Sequence, residues 1–148
     1  LFNRGFTIPA GDPKFSVTGT SKIVAGTAAA PMTALGALQG KPGFAWGAGA
    51  HMHMRGSSAR IDLLRADGSE ECLLDIPDWD FHWQGQYRFA EPIELFDGDA
   101  LRLTCTWDNS PNNQPVVDNE RLTPTAITWG EGTLDEMCLG GVQMTPTR

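Results

Sequence analysis

No stretch of this chain sustains a helical repeat between capping signals. It breaks instead, at short intervals, on Gly, Pro, Asn and Asp: seventeen glycines and ten prolines are spread through 148 residues. Between the breaks lie alternating segments rich in β-branched and aromatic residues, the pattern of half-buried strands. "KFSVTGTSKIVAG" (14–26) alternates. "FAWGAGAHMHMRG" alternates from Phe44 onward, so 44–54 is expected to be a strand. "ARIDLLRADGSEECLLDI" predicts a hairpin turning at Ala66-Asp67-Gly68-Ser69, and "EPIELFDGDALRLTCTW" a strand, a turn at Asp97-Gly98-Asp99 and a further strand. "FHWQGQYRF" alternates as well, and "TAITWG" and "MCLGGVQMTP" predict the closing strands. The 108–124 stretch, rich in Pro and Asn, predicts a loop, and 27–43 predicts a loop or a helical turn broken at Pro31 and Pro42. Regularly spaced short strands imply an all-β fold, a single antiparallel β-sandwich of jelly-roll type, filling 1–148 as one domain.

Charge narrows the function. Eleven Lys and Arg stand against eighteen Asp and Glu, a net −7. With no basic run to neutralise phosphates, a nucleic-acid partner is not expected, nor is an anionic membrane surface. No apolar run reaches membrane-spanning length. The chain opens on "LFNRGF" without an initiator Met, so it is expected to be a processed or excised piece. Of the three cysteines, Cys72, Cys105 and Cys138, none forms a CxxC pair. A zinc ribbon is not expected, and composition alone leaves reduced thiols and one disulfide both open.

The chemistry concentrates in "GAGAHMHMRG". The chain has three histidines, and two of them, His51 and His53, are separated by one residue. On a strand this spacing turns both rings to one face, within reach of a single metal ion. Met52 and Met54 would then face the other way, as packing residues. Imidazole suits zinc, copper, iron and nickel alike, so a third ligand decides the metal. A thioether would select copper, a further His or carboxylate zinc. By spacing alone, His82, in "DWDFHWQ" among Trp79, Phe81 and Trp83, and a distant Met are equal candidates.

"HMHMRG", "DWDFHWQGQY", "CTWDNSPNNQP" and "WGEGTLDEMC" occur in this order. The series, over about 44–144 and with an "IPAG" opening near residue 8, resembles the copper type II, ascorbate-dependent monooxygenases, particularly their bacterial members. The resemblance implies two β-sandwich domains in the complete catalytic region, each with one copper. This chain corresponds to the second, whose copper is held by an HxH pair and one Met: His51, His53 and Met137, which are then both the metal ligands and the catalytic set. It implies a Cys105–Cys138 disulfide tying the Met137 strand to its neighbour, and leaves Cys72 unpaired, as a small buried hydrophobe. His82 and Tyr87 become candidates for supporting the ligands, and Asp108 and Asn109 further pocket candidates. The implied cofactor is one copper ion cycling between Cu(I) and Cu(II), with an external reductant such as ascorbate. The implied partners are dioxygen and a small organic or peptide substrate; Arg55 and Arg88 are available to a substrate carboxylate. An exported protein, extracellular or periplasmic, is expected from the implied disulfide.

One departure is plain. Three histidines cannot build the family's other, all-histidine copper centre as well. A first copper domain or another electron donor is therefore expected outside the chain. The implied function is O2 activation for hydroxylation of a C–H bond. The rivals are a non-catalytic copper carrier or sensor with the same ligands, and a structural sandwich in which HxH is incidental.

Overall fold

A computed structural model describes residues 1–23 and 43–145; the expected loop or helical turn at 27–43 lies, apart from Gly43, outside the described residues. Among the described residues twelve strands follow one another: β1 (Phe2–Asn3), β2 (Thr7–Ile8), β3 (Phe15–Lys22), β4 (Gly43–His51), β5 (Gly56–Leu64), β6 (Glu70–Ile76), β7 (Tyr87–Leu95), β8 (Ala100–Trp107), β9 (Val116–Val117), β10 (Glu120–Arg121), β11 (Ile127–Thr128) and β12 (Cys138–Thr145). The main body is two four-stranded antiparallel sheets, ordered β1-β12-β4-β7 and β3-β8-β5-β6. They pack face to face as a sandwich.

Turn chemistry sets the β5–β6 hairpin and the β7–β8 turn, which crosses from one sheet to the other. Gly68 and Gly98 each sit at φ +90, where a Cβ would be strained. Asp67 Oδ1 accepts from Ser69 N and Oγ, closing the β5–β6 turn. Asp99, buried at 2%, accepts from Phe96 N and Arg65 Nη1 and so locks the β7–β8 turn to the β5–β6 hairpin. Between the sheets, Ile61, Leu63, Leu101, Leu103 and Trp107 meet the small Ala45, Ala48 and Ala50 of β4. The fit is close: a Cβ at Gly140 on β12 would lie 3.1 Å from Leu103 and 3.2 Å from Ile61 of the opposite sheet. On the outer face of the second sheet, Arg60, Asp62, Glu70 and Arg102 form a linked set of ion pairs.

Four expectations need correction. The strand carrying the histidines stops at His51, because beyond it the backbone N–H groups of His53 and Arg55 bond to a carboxylate rather than to a strand. Residues 81–86 are not a strand; β7 begins at Tyr87, and the segment turns on Asp80, whose carboxylate accepts from His82 N. The 108–124 stretch is not all loop: it holds a 3-10 turn at Pro111–Asn113 and the β9–β10 ribbon. Cys72 is exposed, not buried. A bulge shifts the β5–β6 register between Ile61 and Asp62, so Leu73 packs inward and Cys72 faces solvent.

The Cys105–Cys138 disulfide is present. It does not join neighbouring strands of one sheet: β8 and β12 lie in different sheets, so it crosses the sandwich. Cys72 is the one free cysteine. Alkylation of the native, unreduced chain should therefore label one thiol, and unfolding should expose no more. Labelling of three would contradict the disulfide, and a thiol reactive only after unfolding would contradict the exposure of Cys72.

Candidate metal centre

The two histidines sit where β4 runs out. His51 is its last residue, paired in register with Leu139 of β12. Met52 is fully buried, as its packing role requires. The chain then turns back, with Gly56 N donating to His53 O at 3.2 Å. Gly56 has to be glycine: a Cβ there would lie 2.6 Å from the Trp79 ring and 2.9 Å from Met52 Cε. Although the strand ends before His53, the two imidazoles lie together, ring centroids 5.1 Å apart and nearly perpendicular. His51 is half-buried and His53 is 5% exposed, with the Phe81 ring 6.1 Å away.

Hydrogen bonds fix which nitrogen of each ring is free. Asp135 O lies 3.0 Å from His53 Nδ1; a carbonyl only accepts, so His53 carries its proton on Nδ1. Gln84 Nε2 donates to Phe81 O, which turns Gln84 Oε1 towards His51 Nδ1 at 2.6 Å. His51 is then an Nδ1–H tautomer too. Both rings are left with an Nε2 lone pair, and their planes are held by an outer partner, the arrangement of metal-ligating histidines.

The far end of the chain supplies the support. The fully buried Glu136 accepts from His53 N (2.9 Å) and Trp107 Nε1 (2.8 Å) on one oxygen and from Arg55 N (2.7 Å) on the other. Burial pushes its carboxyl pKa up, while these N–H donors and the Arg55 charge pull it back down. Arg55 is itself buried, with Nε on Gln114 Oε1 at 3.1 Å and Nη1 on Leu134 O at 2.8 Å. Burial lowers its pKa, and the charges of Glu136 and Asp135 oppose that. The "WDNS" stretch completes the frame. Asp108 N donates to Arg55 O, and Gln114 is gripped by Asn109 Oδ1 and Ser110 O. Asn109 in turn ties down Pro9 O and Thr125 O. Asn109 and Asp108 are thus parts of the scaffold rather than of a pocket wall.

Met137 is half-buried. It follows Glu136, whose carboxylate holds His53 N, and lies two residues before Leu139, the register partner of His51. The backbone therefore brings the "EMC" segment to the HxH segment across more than eighty residues. Among the described residues no group of three or more His, Cys, Asp or Glu is gathered as for an ion. Two neutral imidazoles and a thioether form a soft, uncharged set that suits copper, above all Cu(I).

His82 meets one of its aromatic neighbours, the Phe81 ring, edge to face at 5.4 Å. Its side chain is 78% exposed and its Nδ1 is 3.4 Å from Asp80 Oδ1. Tyr87, 37% exposed, pairs in register with Ala48. Arg55 cannot serve a substrate, since its guanidinium is buried and engaged; Arg88 is exposed. The sequence analysis missed Gln84, Trp107, Gln114 and Glu136. Only Glu136 had a local signal, an acidic residue in front of Met-Cys at the start of a strand.

The family model described as "Copper type II ascorbate-dependent monooxygenase, C-terminal domain" matches residues 5–143. No curated protein matches the chain.

Proposed function

The chain belongs to the copper type II ascorbate-dependent monooxygenases, as their C-terminal domain, and from that premise we propose that His51, His53 and Met137 hold a single copper ion at which a C–H bond is hydroxylated with O2. Bound there, copper supplies the redox chemistry that activates dioxygen, with ascorbate or a similar reductant as electron source. The chain's own residues do the rest. His51 and His53 offer their Nε2 lone pairs. Gln84 and the Asp135 carbonyl hold the Nδ1–H groups and keep both rings from turning. Glu136 anchors the peptide on either side of Met54, so the second ring keeps its place. Met137 adds a soft donor that favours the reduced ion. The single observation that carries the reading is the pair of rings 5.1 Å apart, each tethered through Nδ1.

The strand orders β1-β12-β4-β7 and β3-β8-β5-β6 support the jelly-roll reading, because all but one step between successive long strands cross from one sheet to the other. The disulfide supports an exported protein. A carrier or sensor would use the same ligands, and it is favoured by the lack of histidines for a second centre. Oxygen uptake with formation of a hydroxylated product separates the enzyme from the carrier.

Competitive titration tests the ligand set. The chain should take up one copper ion and prefer Cu(I) to zinc. His51→Ala or His53→Ala should abolish tight binding, and Met137→Ala should weaken Cu(I) more than Cu(II). Gln84→Ala, which frees the His51 ring, should cost about tenfold in affinity. His82→Ala should leave the stoichiometry unchanged. Loss of the metal on His82→Ala with retention on Met137→Ala would overturn the assignment.

A further inference from the structure

His53 lies beyond the end of β4, so no strand ladder sets its ring. What holds the ring is the carbonyl of Asp135, 3.0 Å from Nδ1. That carbonyl belongs to the "GEGTLDEM" stretch, 130–137, in which three consecutive residues turn acceptors on the 53–55 turn. Leu134 O accepts from Arg55 Nη1, Asp135 O from His53 Nδ1, and the Glu136 carboxylate from His53 N and Arg55 N. Leu134 and Asp135 act through their backbone, so the aim of their carbonyls depends on how the loop before them is closed.

The loop closes on the Asp135 side chain. Asp135 N donates to Gly132 O at 2.9 Å, and Gly132 N donates back to Asp135 Oδ2 at 3.1 Å. The two bonds join the same two residues, so the 132–135 turn is held by backbone and side chain together. The stem is fixed as well: Gly130 N donates to Glu136 O, and Glu136 N to Thr128 O.

Two glycines leave the slot in which the carboxylate lies. A Cβ at Gly130 would come within 2.8 Å of Asp135 Oδ2, Cγ and Cβ, and one at Gly132 would lie 3.0 Å from Oδ2. A carboxylate tip can swing away from an added methyl group. The Asp135 Cβ can do so only by moving its own backbone, and the carbonyl with it. The negative charge of Asp135 also supports the buried Arg55, an effect that has to be separated from loop closure.

We propose that Asp135 is a positioning residue for the metal centre: its carboxylate, seated against Gly130 and Gly132, closes the loop so that its own carbonyl holds the His53 ring with the proton on Nδ1 and Nε2 free. This rests on the copper reading only for the use made of Nε2; the tautomer belongs to the protein with or without metal.

Long-range 15N–1H NMR of the metal-free full chain, in alkaline buffer, distinguishes the protonated from the bare nitrogen of each neutral ring. In the unaltered chain His51 and His53 should both show Nδ1–H. Asp135→Ala should turn His53 into a mixture of tautomers, its Nε2 resonance shifting towards the protonated position. His51, tethered by Gln84 from another segment, should stay in place. Asp135→Asn keeps an oxygen for Gly132 N without the charge and should restore the native His53 signals. Gly130→Ala retains the carboxylate but crowds its slot, and should act as Asp135→Ala does. Cu(I) affinity, measured by competition, should follow the tautomer: about tenfold weaker in Asp135→Ala and Gly130→Ala, recovered in Asp135→Asn. An unmoved His53 in Asp135→Ala, an equal change at His51, or a lost tautomer with unchanged copper affinity would each overturn the proposal. So would an asparagine variant that behaves as the alanine one, since the effect would then belong to the charge near Arg55. Because the tautomer is read without metal, failure there is distinct from failure of the copper titration.

Discussion

Replacing Glu136 with alanine should destabilise the chain by about 3–5 kcal/mol, because it strands several buried N–H donors at once and removes the charge that opposes the desolvation of Arg55. Arg55 is 2% exposed, its guanidinium donates to the neutral Gln114 and Leu134 O, and Glu136 acts on it through its backbone N–H and through charge. The same substitution orphans three buried donors, His53 N, Arg55 N and Trp107 Nε1, each costly to leave unmade. In a chain of this length the loss should lower Tm by roughly 10 °C or more. Glu136→Gln keeps one accepting oxygen and should cost less than alanine, but its NH2 would face a donor. The site should suffer along with the fold, since the 53–55 turn loses its anchor. Copper affinity of Glu136→Gln, measured where the variant is still folded, should fall by about ten- to a hundredfold, the range for outer-shell partners. Chemical denaturation and competitive copper titration of the two variants check this. A stability loss below about 1 kcal/mol in the alanine variant would mean that the three N–H donors do not depend on Glu136.

The importance of Glu136 was the part least legible in the sequence. The turns were legible, because Asp-Gly-Ser and Asp-Gly-Asp carry their conformation locally, and Gly68 and Gly98 do adopt positive φ. So were most strands, because burial on one face leaves a period of two. The histidine pair was legible as chemistry but not as geometry. Strand spacing was expected to align the rings, whereas β4 ends at His51 and the alignment comes from Gln84, Asp135 and Glu136. Those partners lie about thirty to eighty residues away in sequence, and no local pattern announces a contact of that span. Cys72 was misjudged for a related reason. One bulge decides which face it takes, and a bulge in a strand of ordinary composition leaves no mark. The alternation in 81–86 misled in the other direction: His82 and Trp83 are exposed, so an apolar period there did not mean a sheet.

Removing the Cys105–Cys138 disulfide should be the other costly change. The bond closes a loop of 33 residues, for which the loss of unfolded-state entropy is worth about 3–4 kcal/mol. The double variant Cys105→Ala, Cys138→Ala should lose roughly that much, plus a contribution from the emptied space, since both side chains are fully buried between the sheets. Cys72→Ser should be close to neutral, because that thiol faces solvent. The effect should also reach the metal centre selectively. Cys138 follows Met137 directly, and the bond pins this end of β12 to β8 on the opposite sheet, whereas His51 and His53 are held by Gln84, Asp135 and Glu136. Loss of the bond should therefore loosen the thioether more than the imidazoles. The Cu(I) affinity of the double variant should drop more than its Cu(II) affinity, in the same direction as Met137→Ala, although no ligand has been removed. Equal losses for the two ions would show that the bond acts on the fold as a whole. Unchanged Cu(I) affinity alongside the stability loss would show that Met137 keeps its place without the bond, held by the carboxylate and backbone contacts of Glu136 alone.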